Sequence, residues 1–176
     1  FTNIYETVIG KYFITQQLGY YSKAKGYSMY PVSILNGIIS QVTFPVFSKI
    51  QNDKLQLKNY ASKALTMITF ITFPFMFGLI IIAEPLIEVV LTDKWLPIVP
   101  YFQLLCVIGI LYPLQTINLN VLNAQGRSDL FLVININGKI LIAIAVFLTY
   151  DKGITYMIYG QIITALISYF LNTYYT

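Results

Sequence analysis

The chain has 176 residues, of which 57% are apolar and 10% charged, and its net charge is +4. Soluble domains carry about 25% charged residues, so the composition excludes an ordinary soluble fold and points to an integral membrane protein. Nucleic-acid binding is excluded too, because the cations are few and lie mostly in short polar stretches. Fifteen tyrosines and twelve phenylalanines fit the aromatic belts found at membrane interfaces.

Histidine is absent and Cys106 is the single cysteine. Disulfides, histidine-based metal sites and His-dependent triads are therefore excluded, and no cofactor is expected. Cys106 stands in the apolar run Leu104-Leu105-Cys106-Val107 and reads as a small buried hydrophobe. The chain opens on Phe1 without a signal-peptide pattern, so it is expected to be a piece of a longer protein.

In chain order, the first predicted span covers Asn3 to Leu18. Asn3, Thr7, Lys11 and Thr15 recur every fourth residue and so share one helix face. Gly19 to Gly26, rich in Tyr and Lys, reads as an interfacial loop. A second span runs from Tyr30 to Phe47, with Pro31 suited to its first turn and Pro45 expected to kink or end it. Its polar stripe is Ser33, Asn36, Ser40 and Thr43. The most charged loop follows, with Lys49, Asp53, Lys54, Lys58 and Lys63 around a Gln51-Asn52 turn.

The third span goes from Tyr60 to Ala83 and contains Pro74. Glu84-Pro85 breaks it, and Leu86 to Leu91 is expected to lie along the interface before Asp93-Lys94-Trp95. A fourth span, Pro100 to Asn123, contains Pro113 and places Gln115 and Asn118 on one face. Residues 124–129 form a tight polar turn in which Gly126 suits a left-handed helix end and Ser128 or Asp129 can cap the next helix. The fifth span is Leu130 to Tyr150. Asp151-Lys152-Gly153 turns the chain, and the sixth span, Ile154 to Tyr174, carries Gln161, Thr164, Ser168 and Asn172 on one face.

This pattern predicts an all-α polytopic membrane protein: one bundle of about six transmembrane helices over residues 1–176, with the lipid bilayer as its surroundings. Four spans carry polar stripes, which either glue helices together in lipid or line a shared wet cavity. Both readings turn the stripes inward, because lipid does not solvate polar groups. With alternating spans, the 49–63 and 124–129 loops share one side with five Lys/Arg. The loops at 19–29, 92–99 and 151–153 hold four on the other, so the positive-inside rule leans towards the first side being cytoplasmic.

Lys139 is the residue that asks for a function. It lies nine residues into the fifth span, about 14 Å at 1.5 Å per residue, near the middle of a hydrocarbon core about 30 Å thick. A lysine there costs roughly 3 kcal/mol on insertion scales, and a lysine stem is too short to escape that cost by snorkelling.

Four segments resemble those of a known family: G-Y-Y-S-K-A from Gly19, F-P-V-F-S-K-I-Q-N-D from Phe44, D-K-W-L-P-I-V-P from Asp93, and the A-Q-G-R-S-D-L-F turn from Ala124. Spread in order through almost the whole chain, they look like the Wzx-type polysaccharide flippases, the lipopolysaccharide/exopolysaccharide biosynthesis branch of the multidrug/oligosaccharidyl-lipid/polysaccharide exporter superfamily. The resemblance implies two six-helix bundles facing each other and alternating access. It implies that these spans are the second bundle, with the N-terminal bundle missing, in a bacterial inner (plasma) membrane. The implied cargo is an oligosaccharide linked to undecaprenyl diphosphate, carried for polysaccharide or O-antigen assembly. Lysine meets phosphate as a point charge, so Lys139 and Lys11 are the candidate partners of the diphosphate. Asn135, Asn118, Gln115 and Asn36 are the candidate partners of sugar or backbone, Asn135 standing one turn before Lys139. Arg127 reads as a loop charge of the cytoplasmic side.

Competing classes are a drug/cation antiporter of the same superfamily, a membrane enzyme of the same pathway, and a structural anchor. An antiporter needs carboxylates within the membrane, whereas the acids here stand at helix ends and in loops, apart from Glu6 near the start. A polymerase or ligase would carry a large soluble loop, and no predicted loop is longer than about 15 residues at the connection lengths usual for bundles. An anchor gives no reason for a lysine at mid-span. The reading is a transporter and not an enzyme.

Overall fold

The computed structural model describes residues 4–175. Its helices are α1 (Ile4–Tyr12), α2 (Thr15–Lys49), α3 (Lys54–Ile81), α4 (Ala83–Leu91), α5 (Val99–Ala124), α6 (Ser128–Thr149) and α7 (Ile154–Tyr175). A 3-10 segment, Asp93–Ile98, joins α4 to α5, and no strand occurs among the described residues. Five helical stretches are long and apolar enough to cross a membrane: α2, α3, α5 with the 3-10 segment before it, α6 and α7. The protein is an all-α, multi-pass membrane protein.

The first two predicted spans are redrawn. Residues 19–26 are not a loop but part of α2, which runs unbroken for 35 residues, or about 52 Å at 1.5 Å per residue. The lysines, tyrosines and alanine of that stretch are compatible with a helix, and neither Gly19 nor Gly26 takes a left-handed conformation. Two glycines and a polar run are loop signals, but neither breaks a helix by itself. The break falls at Phe13-Ile14 instead, and Pro31 lies well inside α2 rather than in a first turn. The nine-residue α1 folds back on the start of α2, burying Tyr5 and Ile9 and pairing Glu6 with Lys25 at 2.9 Å.

That geometry also corrects the first polar stripe. Thr7, Lys11 and Thr15 are exposed rather than inward, because Tyr5 and Ile9 occupy the packed face of α1. Asn3 lies outside the described residues.

The third span is redrawn too: α3 begins at Lys54 rather than Tyr60, so of the charged 49–63 stretch only residues 50–53 lie outside a helix. Asp53 caps α3 by accepting the Gln56 amide N–H at 2.9 Å. Gly126 has φ +68° and Gly153 φ +108°, both in the region open to glycine. After Gly126, the Arg127 N–H bonds the Leu122 carbonyl at 3.1 Å, closing α5 in the manner of a Schellman turn. The expected side-chain cap on α6 is not formed. Arg127 holds the capping position without a side-chain bond, and Ser128 already belongs to the helix.

α5 is the centre of the bundle. Phe102, Leu105, Cys106, Ile117 and Leu122 are buried in it, and it packs on α2, α3 and α7. α6, by contrast, rests chiefly on α7. At Gly109 three helices meet, since a Cβ there would stand 2.7 Å from Met76 Cε of α3 and 3.0 Å from Val32 Cγ2 of α2.

The turns sort to two ends. Gln51, Asn52, Gln125 and Arg127 border one cavity. At the opposite end Tyr20 meets Trp95 at 6.0 Å and Tyr12 meets Tyr150 at 5.2 Å. Lys11, next to Tyr12, therefore belongs to the Tyr150 end. The cations of the helix ends then divide five against five (Lys49, Lys54, Lys58, Lys63 and Arg127 against Lys11, Lys23, Lys25, Lys94 and Lys152). The count no longer orients the chain.

Candidate functional site

A cavity of about 360 Å³ opens between α5, α6 and α7, with α1 and α2 closing one side. α5, α6 and α7 each bring polar groups to it at helical spacing. α7 contributes Gln161, Thr164, Ser168 and Asn172, the whole of its polar stripe. From α6 come Asn135 and Lys139, one turn apart, and from α5 come Tyr112 and Gln115. α1 and α2 supply Tyr5, Tyr21 and Lys25.

Several of these groups are held in place by named bonds. Gln161 donates to the Tyr21 hydroxyl at 2.8 Å, tying α7 to α2. Gln115 donates to the Ala165 carbonyl at 3.0 Å, tying α5 to α7. Asn135 turns back on its own helix and donates to the Phe131 carbonyl at 2.7 Å. Two lysines line the space from different walls: Lys25, in an ion pair with Glu6, and Lys139 on α6. No carboxylate belongs to the lining among the described residues. Because Glu6 offsets the charge of Lys25, Lys139 is the cation that such a site sets among amides and hydroxyls, a combination suited to an anionic group with hydroxyls attached.

The six expected residues are divided. Lys139, Asn135 and Gln115 come together in the cavity. Asn118 lies beyond its floor, donating to Thr173 Oγ1 at 3.1 Å and facing a second cavity. Asn36 accepts from the Thr116 hydroxyl at 3.1 Å in the seam between α2 and α5, and lines neither cavity. Lys11 is at the Tyr150 end, 5.6 Å from the centre of the Tyr12 ring, away from both. Lys25, Tyr21 and Tyr112 join the site beyond the six expected residues. Tyr21 and Lys25 stand one turn apart on one face, a signal that appears only when 19–26 is read as helix.

Residues 1–100 match the family described as polysaccharide biosynthesis protein. The chain belongs to this family. It is similar to the lipopolysaccharide biosynthesis protein WzxC of Escherichia coli K12, with 31% identity over 97% of this chain and 36% of that protein. Teichuronic acid biosynthesis protein TuaB of Bacillus subtilis 168 is 33% identical over 73% of the chain and 26% of its own length. Succinoglycan biosynthesis transport protein ExoT of Rhizobium meliloti 1021 is 29% identical over 62% of the chain and 22% of its own length. The chain thus spans about a third or less of these family members. No solved structure matches it.

Proposed function

We propose that this bundle is part of a flippase of the bacterial inner membrane, which moves oligosaccharide linked to undecaprenyl diphosphate between leaflets for polysaccharide or O-antigen assembly. The observation that carries the reading is membership of the polysaccharide biosynthesis family, with relatives named for three different bacterial polysaccharides and one of them for transport. On this reading the protein is a transporter rather than an enzyme and needs no cofactor. A second bundle from the rest of the protein faces this one, and the two alternate between open sides.

The physics is that of replacing water. The isoprenoid tail stays in the bilayer while only the sugars and the diphosphate cross. Lys139 meets the diphosphate as a point charge, and Asn135, Gln115 and the polar face of α7 replace hydrogen bonds that the sugars lose. Asn118 serves the wall between the two cavities, Asn36 the α2–α5 seam, and Lys11 the exit end. The 50–53 end is cytoplasmic in this scheme.

Removing the full-length protein from its host should abolish one surface polysaccharide and trap its lipid-linked precursor in the cytoplasmic leaflet. Restoring the protein should reverse both effects. Loss of the polysaccharide without accumulated lipid-linked precursor would assign the protein to a different step.

A further inference from the structure

We infer that the second cavity is a binding site for the phosphate of a membrane lipid, separate from the cavity that holds Lys139 and independent of the transport reading. It has a volume of about 930 Å³ and lies between the start of α3, the end of α5 and the end of α7. This is within the roughly 300–1,000 Å³ usual for small-molecule sites.

Three cations line it: Lys54 and Lys58, one turn apart on α3, and Arg127 in the turn after α5. No acid belongs to its lining among the described residues. The nearest in sequence, Asp53, is occupied with capping the Gln56 amide N–H. Three like charges around one space repel each other, more strongly beside low-dielectric walls than in water. A bound anion removes that repulsion. The amides of Gln51, Asn52 and Gln125 offer donors beside the cations.

The inner wall decides between a free and a lipid-borne phosphate. Leu57, Ala61, Leu65 and Val121 make most of the wall beyond the helix end, with Ser62, Asn118 and Thr173 set among them. Along α3 the lining runs from Lys54 to Leu65, about 16 Å of helix, with its cations at the helix end and, apart from Ser62, apolar residues further in. A lipid phosphate fits this order, with its head group at the lysines and its chain along the leucines. Free phosphate would leave the apolar wall uncovered.

The test uses the full-length protein in neutral detergent, with bound lipid read by native mass spectrometry. Phosphatidylglycerol and, in a Lys139→Gln background that removes the α6 cation of the first cavity, undecaprenyl diphosphate should each be retained in preference to phosphatidylcholine, and the variants below are compared in that background. Preference for undecaprenyl diphosphate would make the source the polysaccharide carrier lipid, and equal retention would make it bulk anionic phospholipid. The combined Lys54→Gln, Lys58→Gln and Arg127→Gln variant should lose retention by about tenfold or more, since charge-assisted contacts are lost. Lys49→Gln with Lys63→Gln, outside the lining, should not. Lys54→Arg with Lys58→Arg should keep binding, which separates charge from folding. Raising salt shortens the screening length from about 10 Å at 0.1 M to about 3 Å at 1 M and should weaken retention in the parent protein. Unchanged retention in the triple variant, or equal retention of phosphatidylcholine, overturns the site. Inorganic diphosphate bound as tightly as the lipids overturns the role given to the apolar wall.

Discussion

The Asn120 side chain on α5 donates to the Thr43 hydroxyl on α2 at 2.9 Å, and stands 3.4 Å from the Ser40 hydroxyl. Thr43 in turn donates to the Ile39 carbonyl of its own helix at 2.8 Å, so it accepts one bond and makes another. One turn along, Thr116 and Asn36 meet across the same seam. Asn36, Ser40 and Thr43 of the α2 stripe are thereby closed against α5, whereas Ser33 is exposed and donates to the Tyr30 carbonyl of its own helix, so the cavity draws on the stripes of α5, α6 and α7. The cost of burying polar groups in lipid is offset here by mutual hydrogen bonding.

Breaking this seam should be a matter of stability rather than of transport. Interhelical hydrogen bonds in membranes are worth about 0.6 kcal/mol on average in double-mutant cycles. Asn120→Ala and Thr43→Val, measured singly and together by unfolding in detergent, should give a coupling of about that size. A coupling near zero would mean that the two side chains do not bond in the membrane.

At Gly109 the prediction concerns volume. A methyl group there meets the tip of Met76, which can swing aside, and a methyl of Val32, which is stiff at χ1. Gly109→Val should therefore destabilise the bundle by about 1–3 kcal/mol, the usual range for overpacking. Adding Met76→Ala should restore part of the loss. If the single variant unfolds like the parent, α2, α3 and α5 do not approach as closely as the structure has them.

Topology gives a third test. With Cys106→Ser as background, cysteines at Asn52 and Arg127 should label from one side of the membrane, and those at Lys94 and Lys152 from the other. On the flippase reading the first side is the cytoplasm. Labelling of positions 52 and 152 from the same side would break the alternation of α3 to α6.

How much of this was legible in the sequence depended on the kind of signal. α5 and α7 were read nearly to the residue, because apolar runs of about 20 residues bounded by Gly126, Asp151 and Gly153 leave few alternatives. α1 and α2 were misdivided because Lys23, Lys25 and the tyrosines mimic a loop while α2 projects well beyond a hydrocarbon core of about 30 Å. The α7 stripe was visible as a helical period, yet its partners were not. Helical spacing says which residues share a face, not which helix covers it. Only the packing separates Asn36, held in a seam, from Asn135, open to a cavity.

Lys139 carries the last prediction. It stands in the twelfth position of a 22-residue helix, about half-way along a span, and on the face that lines the cavity with Asn135 and Gly138. A charge at that depth costs roughly 3 kcal/mol on insertion scales, which an unneeded side chain would not sustain. If it meets the diphosphate, what counts is a positive charge at that place. Lys139→Arg should then retain most of the transport, while Lys139→Gln and Lys139→Ala should lose about tenfold or more, the loss of one charge-assisted contact of about 1.5–3 kcal/mol. The assay is surface polysaccharide produced by the full-length protein at matched membrane abundance. Unfolding of each variant in detergent separates transport from stability. Full transport in the alanine variant would take Lys139 out of the mechanism. Loss of transport together with loss of folded protein in both neutral variants would make the lysine a structural element of the α6–α7 pair instead.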